Sequence, residues 1–413
     1  MRGEIVAIGD ELTSGRVPNS TSCFAAARLF AAGYQVPILV TIADDLELIG
    51  STLLQALERA DFVIVTGGLG STSDDLTNEA VSSALNRPAI LYPEILRKIQ
   101  AHSRHLSPRA RNSLEKLAWL PDGAHALHTE ARSAGYFLVH QGKPVFFLPG
   151  VPHEMRELVV EAVLPRLAVW DGKSRPRVRQ RLYRVAGLGE GEINRRLADL
   201  EGRDVGVKIG YYPVFPEVQV SLSVSASGKS EADALLARTH AEIERRLGRN
   251  LFGLDDESMA WVVGGLCRTR KLSLAVAESC SGGLIAADIT SVPGSSDYFR
   301  GGLVTYSNVM KESLLGVRGD TLAAHGAVSP QVAREMALGV LRVAGSDLAL
   351  SVTGIAGPGG GSKEKPVGTV QIGVAAGGQV SVESCLFTGD RRQVQIQTAH
   401  KALDLLRCRL LDG

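Results

Sequence analysis

An apolar run that leads into a serine and a glycine pair is the feature that most restricts the fold of this chain. Residues 272–276 are apolar apart from Ser273, and Ala277-Glu-Ser-Cys-Ser-Gly-Gly-Leu-Ile-Ala286 follows them directly. The pattern predicts a buried strand, a turn at Ser279 and a helix, as in α/β hydrolases that present a nucleophilic serine. Gly282 and Gly283 permit close approach of a ligand, and first-turn amides can stabilise an oxyanion. Taken alone, the pattern favours an ordinary N-cap serine.

A second segment supplies the base that such a serine needs. Gly301-Gly-Leu-Val-Thr-Tyr-Ser-Asn-Val-Met-Lys311 reads as the end of an apolar strand and the start of a helix. No histidine of this half of the sequence stands where a catalytic triad would need it, whereas a lysine accepts a proton once burial lowers its pKa. Tyr306 and Lys311 can therefore face the same cleft as Ser279. The ordinary alternative is a solvated lysine and a half-buried tyrosine.

A third strand pattern runs into a glycine-rich loop, Ser351-Val-Thr-Gly-Ile-Ala-Gly-Pro-Gly-Gly-Gly361. Backbone amides of such a loop can hold a phosphate or carboxylate. The loop matches neither the Walker pattern nor a dinucleotide-binding fingerprint. Ligands of α/β domains bind beyond the carboxyl ends of the strands, so three such loops together predict one site.

These segments resemble the C-terminal domain of the CinA family, which includes the nicotinamide mononucleotide deamidases. The resemblance covers about residues 258–410. The matching blocks are Glu278-Ser-Cys-Ser-Gly-Gly283, Gly294-Ser-Ser-Asp-Tyr-Phe299, Thr305-Tyr-Ser-Asn-Val-Met-Lys311, Gly326-Ala-Val-Ser329, Thr353-Gly-Ile-Ala-Gly-Pro358, Lys365-Pro-Val-Gly-Thr369 and Gly389-Asp-Arg391.

The resemblance implies hydrolysis of nicotinamide mononucleotide to nicotinic acid mononucleotide and ammonia, without a cofactor. Ser279 falls on the family's nucleophile, Lys311 on its general base, and Tyr306 on a residue that assists proton transfer. Ser281 replaces the usual threonine, and Gln395 stands where the family often has a second arginine. The expected substrate-binding residues are Gly282, Gly283, Ser296, Thr353, Gly354 and, at the nucleotide phosphate, Arg391.

The N-terminal half shows a similar alternation of apolar strands and helical stretches, which predicts a parallel sheet covered on both faces. Glu4–Gly9 is an apolar strand followed by Asp10 and Glu11, a second strand lies near residues 35–42, and residues 60–70 read as another buried strand that runs into glycines. Asp74 and Asp75 come just behind it. Paired carboxylates can hold a divalent cation that bridges to a phosphate, but acids at the start of a helix are equally ordinary.

This half resembles the N-terminal domain of CinA proteins, which is related to the molybdopterin-binding fold of the MogA and MoaB enzymes. The matching blocks are Gly9-Asp-Glu-Leu12, Thr66-Gly-Gly-Leu-Gly70, Asp74-Asp-Leu-Thr77 and Leu148-Pro-Gly-Val-Pro-His-Glu-Met155. The resemblance implies a metal-dependent ADP-ribose pyrophosphatase. The paired carboxylates Asp74 and Asp75 are the expected metal ligands. The expected site residues are Asp10, Glu11, Gly67, Gly68, Gly70, Asp74, Asp75 and Thr77.

This half also departs from the family pattern. The departures are Asn19-Ser-Thr21, Gly70-Ser-Thr72 and His128-Thr-Glu-Ala-Arg-Ser-Ala-Gly135, in place of an Asp-Thr-Asn, a Gly-Pro-Thr and a proline- and glycine-rich loop. They predict altered metal binding and an altered loop shape.

The predicted architecture is α/β, with two α/β domains joined by a small α+β module. The domains are expected at residues 1–170, molybdopterin-binding-like, and 258–413, of the CinA amidase type, with the module at 176–253. The module resembles the KH-like middle module of CinA proteins. Its glycines at 187–191 are flanked by acids, so a spacer or dimerisation role is favoured over RNA binding.

Composition limits the partners. The net charge is +1, which gives neither a nucleic-acid footprint nor a preference for anionic membranes. The five cysteines are scattered, as in a cytoplasmic protein with reduced thiols. No apolar run reaches membrane-spanning length, and the first residues read as a strand rather than a signal peptide. The expected partners are a nucleotide substrate and, from the family resemblance, a second copy of the chain.

Two alternative functions remain open at this point. In the first, ADP-ribose hydrolysis by the N-terminal domain is the main activity, and metal-dependent release of AMP distinguishes it from metal-independent release of ammonia. In the second, the chain is a non-catalytic regulatory protein linked to competence or DNA damage. The presence of Ser279, Tyr306 and Lys311 argues against the second, because a scaffold does not need them.

Overall fold

The computed structural model describes residues 1–102, 107, 113–127, 135–172 and 176–412. The chain divides into two compact units, one formed by Met1–Arg179 with Ser225–Ala234 and the other by Gln180–Val224 and the chain from Leu235 onwards. Most of the departing loop block noted above, residues 128–134, lies outside the described residues. Both units combine helices with sheets, which confirms the α/β class expected from the sequence.

The first unit is built around a six-stranded sheet. Its elements in chain order are β1 (Arg2–Ile8), α1 (Asp10–Thr13), α2 (Ser20–Ala31), β2 (Gln35–Ile42), α3 (Leu46–Arg59), β3 (Phe62–Thr66), α4 (Thr77–Ala84), β4 (Ala89–Leu91), α5 (Pro93–His102), β5 (Trp119–Pro121), β6 (His125–Leu127), β7 (Gly135–His140), β8 (Lys143–Leu148), α6 (Pro152–Leu158) and α7 (Leu164–Asp171). The strand order is β2-β1-β3-β8-β7-β6. The first four of these strands run parallel, and β7 pairs antiparallel with both of its neighbours, β8 and β6.

The central strands of this sheet are buried on both faces, as their continuous apolar sequence predicts. Val6 and Ile8 pack into one hydrophobic cluster, whereas Ile5 packs into the other, because successive side chains of a strand point to opposite faces. Gly67, just after β3, has a φ of +104°. A Cβ at this position would overlap the carbonyl oxygen of Ile8, so only glycine lets the ends of β1 and β3 approach this closely.

The second unit contains two sheets. The elements of the first sheet and its helices are β9 (Arg177–Val185), α8 (Glu190–Leu197), β10 (Val207–Val214), β11 (Glu217–Ala226), α9 (Lys229–Leu247) and β12 (Leu251–Leu254), with the strand order β10-β11-β9-β12. Within these elements, residues 177–179 and the segment from 225 to 234 are assigned to the first unit. The residues from 180 to 254 are called the middle module below. Its described hairpin, β10 with β11, is antiparallel.

The remaining elements form the C-terminal domain. They are α10 (Met259–Arg270), β13 (Leu274–Glu278), α11 (Leu284–Thr290), β14 (Phe299–Val304), α12 (Asn308–Leu315), α13 (Gly319–His325), α14 (Pro330–Ala344), β15 (Leu348–Gly354), β16 (Thr369–Ala376), β17 (Gln379–Leu386) and α15 (Arg391–Asp412). The strand order is β14-β13-β15-β16-β17. Because β14, β13 and β15 are parallel, the loops that follow them meet at one edge of the sheet. No helix in the described part of the chain is long and apolar enough to span a membrane.

Helix α14 packs against this sheet, and its sequence contains recognisable helix start and stop signals. Ser329 caps it by accepting a hydrogen bond from the amide of Val332, Pro330 stands in the first turn, and Gly345 ends it in a left-handed conformation. Gly339 lies in its interior. A Cβ there would overlap the carbonyl oxygen of Leu315, the last residue of α12, so the close approach of α12 to α14 requires glycine.

Replacing Gly339 with alanine should therefore lower the free energy of unfolding by about 1–3 kcal/mol, since the added methyl group forces the two helices apart. Gly265→Ala is the matched control, because it also adds a methyl group inside a helix but meets no atom within 4 Å. We expect the control to gain up to about 1 kcal/mol from helix propensity. Urea unfolding of both variants measures the difference, and equal midpoints would contradict the packing argument.

Candidate active site

Ser279 directly follows β13 and is 7% exposed. Its amide donates to the carbonyl oxygen of Val352 in β15 at 3.1 Å, which fixes the backbone of the turn between two strands. Gly282 and Gly283 then take φ values of +67° and +99°. Residues with a Cβ rarely adopt such angles, so the glycine pair is needed for the chain to turn from strand to helix.

Lys311 of α12 lies against this serine. Its Nζ atom is 3.1 Å from Ser279 Oγ and also donates to the carbonyl oxygens of Thr305 at 2.8 Å and Tyr306 at 3.3 Å. Ser307 caps α12 by accepting a hydrogen bond from the amide of Met310, which starts the helix close enough to the sheet to bury Lys311. The sequence-predicted pair of serine and lysine is thus brought within hydrogen-bond distance across 32 residues of chain.

The burial of Lys311 disfavours its charged form relative to a lysine in water. The side chain is 1% exposed, and this burial lowers the pKa of Lys311 against a smaller opposing effect of Cys280. Cys280 is the other candidate nucleophile of the turn, but burial raises the pKa of its thiol to about 12. The thiolate is the reactive form of cysteine, so the environment disfavours Cys280 and favours Ser279 with Lys311.

A buried carboxylate that the sequence reasoning did not identify organises the same turn. Glu278 is fully buried, and its oxygens accept hydrogen bonds from the Ser281 hydroxyl at 2.7 Å and from the amides of Gly283, Ile285 and Ala286 at 3.0, 3.1 and 2.9 Å. The signal available in the sequence was an acid between an apolar strand and a helix N-terminus, where the helix dipole favours negative charge.

Glu278 changes the expected source of oxyanion stabilisation. The expectation that the first-turn amides of α11 are free is wrong for the amides that Glu278 binds, and the Gly282 amide is taken by the carbonyl oxygen of Ser279 at 3.2 Å. The amides of Cys280 and Ser281 take no part in these bonds. Both interact with the Cys280 thiol, whose pKa they lower against the larger effect of burial, and they are the amides of this turn left as candidate oxyanion donors.

Arg391 and Tyr306 close one side of the site. Arg391 begins α15, and its Nη2 atom donates to the Tyr306 hydroxyl at 2.9 Å while Nη1 donates to the carbonyl oxygen of Gly357 at 2.7 Å. Tyr306 is 61% exposed, so it stands at the mouth of the site rather than beside the buried amine of Lys311. The arginine therefore ties Tyr306 to the glycine-rich loop.

The loops enclose a cavity of about 270 Å³. Thr353 is buried and donates from its hydroxyl to the carbonyl oxygen of Ala327 at 2.9 Å. Gly354 packs so closely that a Cβ would lie 3.0 Å from the Cys280 sulfur. The expected site residues among the lining are Ser279, Tyr306, Lys311, Thr353, Gly354 and Arg391, and Asn308 is a lining residue that the sequence analysis did not select.

Other residues of the expected set lie elsewhere or act indirectly. Ser296 is exposed in a short 3₁₀-helix, Ser295–Asp297, that precedes β14. It therefore stands at the amino end of a strand, opposite to the edge that carries Ser279, and the chain does not bring it to this cavity. Gly282 and Gly283 shape the turn without lining the cavity. Gln395 donates to the carbonyl oxygen of Cys280 at 3.0 Å and so holds the turn in place.

The N-terminal unit has its own cavity, of about 420 Å³, beyond the ends of β1, β3 and β8. Thr77 does not line this cavity, but its hydroxyl donates to the carbonyl oxygen of the lining residue Gly67 at 3.0 Å. The amide of Asp10 donates to the Asp44 carboxylate at 2.8 Å. Asp44 and Glu154 are acidic lining residues that sequence reasoning did not select. The expected residues in the lining are Glu11, Gly67, Gly68, Gly70, Asp74 and Asp75.

The carboxylates expected to bind metal are occupied by their own loop. Asp75 accepts hydrogen bonds from the amides of Gly70 and Thr72, both at 2.7 Å, and from the Thr72 hydroxyl at 2.6 Å. The same hydroxyl also lies within hydrogen-bond distance of Asp74, so the two carboxylates share its single proton, and this contact lowers the pKa of Asp74. Across the described residues, no group of three or more His, Cys, Asp or Glu side chains could hold a metal ion. Asp74 and Asp75 therefore order their own loop, and metal binding by these two carboxylates stays a prediction.

Family models cover the chain in three consecutive parts. Residues 4–169 match the probable molybdopterin binding domain, residues 180–253 the damage-inducible protein CinA KH domain, and residues 256–410 the CinA C-terminal domain. The crystal structure of the competence/damage inducible protein CihA from Agrobacterium tumefaciens is 41% identical and covers 38% of this chain and 94% of that chain, with a TM-score of 0.37.

Full-length relatives extend the similarity from end to end. A CinA-like protein of Desulfotalea psychrophila is 48% identical over 408 residues, which span 99% of this chain and 98% of that protein. A CinA-like protein of Syntrophus aciditrophicus is 40% identical over 415 residues, covering 100% and 99%. Identity at this level over the whole length, together with the family models, shows that the chain belongs to the CinA family.

Proposed function

We propose that the C-terminal domain hydrolyses the carboxamide of nicotinamide mononucleotide, giving nicotinic acid mononucleotide and ammonia. The observation that carries this proposal is the 3.1 Å separation of Ser279 Oγ and Lys311 Nζ inside a cavity. A serine needs an adjacent base to become nucleophilic, and a buried lysine with a lowered pKa can be that base.

The residues support a two-step acyl transfer. Neutral Lys311 accepts the hydroxyl proton as Ser279 Oγ attacks the carboxamide carbon, and the amides of Cys280 and Ser281 stabilise the oxyanion that forms. Lys311 then donates the proton to the leaving nitrogen, ammonia departs, and an ester to Ser279 remains. Water attacks this ester with Lys311 again as the base, which releases the carboxylate and restores the serine.

The remainder of the cavity suits a nucleotide. Arg391 uses two of its N–H groups on Tyr306 and Gly357, and a guanidinium has five, so donors remain for a phosphate. The glycine-rich loop offers backbone amides beside it. Gln395 is engaged with the nucleophile turn and carries no charge, so phosphate binding depends on Arg391 more strongly than in relatives that have a second arginine.

Removing either partner of the pair should abolish the reaction. We expect Ser279→Ala and Lys311→Ala each to lower kcat for ammonia release from nicotinamide mononucleotide by about a thousandfold or more, with a chelator present throughout. Ser313→Ala is the matched control, because Ser313 is an exposed serine on the helix that carries Lys311, and it should keep full activity. Turnover retained in both active-site variants would refute the proposal.

The pH dependence should report on Lys311. A lysine base acts only when neutral, and the neutral fraction rises as the pH increases through its pKa. Burial lowers the pKa of Lys311 from 10.5, so kcat/KM should rise with pH along a limb whose midpoint lies below 10.5. Tyr306→Phe should leave this midpoint in place. A midpoint that disappears in Tyr306→Phe would identify the tyrosine as the base instead.

We also propose that the N-terminal domain binds a nucleoside or pterin group rather than hydrolysing ADP-ribose. The cavity lining favours this reading, because Glu11, Asp44 and Asp74 can accept hydrogen bonds from amino or hydroxyl groups of a ligand. The same carboxylates repel a phosphate that no cation accompanies. Burial, supported by the nearby Asp10, Glu11 and Asp74, raises the pKa of Asp44, in keeping with a crowded acidic wall.

ADP-ribose supplied with manganese or cobalt should therefore give little release of AMP, because Asp74 and Asp75 are held by Thr72 and the loop amides. Binding of ADP-ribose and of a pterin, measured by calorimetry on the same preparation, tests the binding role separately. Robust metal-dependent turnover would show that the loop reorganises to bind metal, and it would overturn this second proposal.

A further inference from the structure

Helix α15 connects two regions of the second unit. Its first residue, Arg391, lines the cavity of the candidate active site. Later turns of the helix contact the middle module. On these turns Ile396, His400 and Leu403 recur at helical spacing and line a further cavity. His400 lies nine residues beyond Arg391, or about 13 Å along the helix at about 1.5 Å per residue. A contact at His400 therefore helps to set the position of the first turn of the helix, which carries Arg391.

The His400 side chain meets the middle module through a polar and an aromatic contact. Its ring packs edge-to-face on Phe252, with centroids 5.4 Å apart. Its Nε2 atom lies 3.8 Å from Glu217 Oε2. That nitrogen is buried and has no hydrogen-bond partner within the described part of the chain, so the nearby carboxylate is the polar group best placed to engage it.

The contacts of Glu217 stabilise its ionised carboxylate. Its side chain is 3% exposed, and Oε1 accepts hydrogen bonds from Arg184 Nε at 2.8 Å and Gln219 Nε2 at 2.9 Å. Burial would raise the pKa of Glu217, but His400 and these two donors lower it. The oxygen that faces His400 takes part in neither of the two bonds. Arg184 in turn lies over the Phe252 ring at 5.5 Å.

The packing between the middle module and the C-terminal domain leaves a gap beside Glu217 and His400. A cavity of about 220 Å³ lies between the module and the domain, with Arg184, Glu217, His400 and Asp288 of α11 in its wall. Farther along the helix, Arg407 Nη2 donates to the carbonyl oxygen of Arg249 at 2.6 Å. The module thus contacts α15 near the middle of the helix, through Glu217 and His400, and near its end, through Arg249 and Arg407.

We propose that the middle module positions α15, and that Glu217 and His400 are positioning residues that act through Arg391. This inference rests on the proposed function for its kinetic consequence. Arg391 binds a part of the substrate that does not react, so loosening the helix should weaken substrate binding more than it slows the chemical step. The module then serves as a structural support of the active site, a role that its resemblance to nucleic-acid-binding modules does not suggest.

The test compares Glu217→Gln with a matched control on the full-length protein. Lys401→Gln is the control, because it removes the 2.9 Å ion pair of Lys401 with Glu383, which lies inside the C-terminal domain one residue from His400. We expect Glu217→Gln to raise KM for nicotinamide mononucleotide about three- to tenfold with kcat within about twofold. Amide hydrogen exchange at residues 391–398 should also become faster. The control should change neither quantity.

His400→Gln removes the same contact from the side of the helix. It provides the test of the positioning role if Glu217→Gln does not fold. The double variant should be no worse than either single one, since both break one interaction. Unchanged KM and unchanged exchange in both single variants would overturn the positioning role. If the wild-type protein releases no ammonia, the proposed function fails, and hydrogen exchange alone still decides whether the module positions the helix.

Discussion

The carboxylate of Glu278 is the interaction on which the candidate active site depends. A buried charge is tolerated only when donors surround it, and here the Ser281 hydroxyl and three amides of the turn and α11 do so. These bonds fold the chain back around the carboxylate immediately after the strand. They place Ser279 at the carboxyl end of β13, and they determine which amides remain near the nucleophile.

The rest of the site follows from the parallel edge and from burial. Three neighbouring strands end together, so Ser279, Lys311 and Thr353 come from distant parts of the sequence to one cavity. Burying Lys311 costs solvation energy, which the carbonyl oxygens of Thr305 and Tyr306 offset only in part. A lysine kept in such a place at the expense of stability is typical of a group whose pKa is adjusted for catalysis.

The sequence was sufficient for the strand-turn-helix units and for the pair of Ser279 and Lys311, because periodicity and glycine position predict which ends of strands meet. It was insufficient wherever a polar group had more than one possible partner. The amides of α11 looked available for an oxyanion, and only the fold shows that Glu278 binds them. Ser296 was expected in the site from its family block, yet it precedes its strand rather than following it.

The N-terminal unit and the C-terminal domain each contain an acid that orders a glycine-containing turn. Asp75 binds the amides of Gly70 and Thr72, and Glu278 binds amides of its own turn in the same way. In each case backbone amides occupy the oxygens of the carboxylate. An acid near glycines in a sequence suggests a metal or phosphate site, but the backbone amides of a tight turn compete for the same oxygens. Where the amides of the turn bind the acid, the acid orders the turn, and other polar groups of the cavity, such as Ser279 and Lys311, remain to contact a ligand.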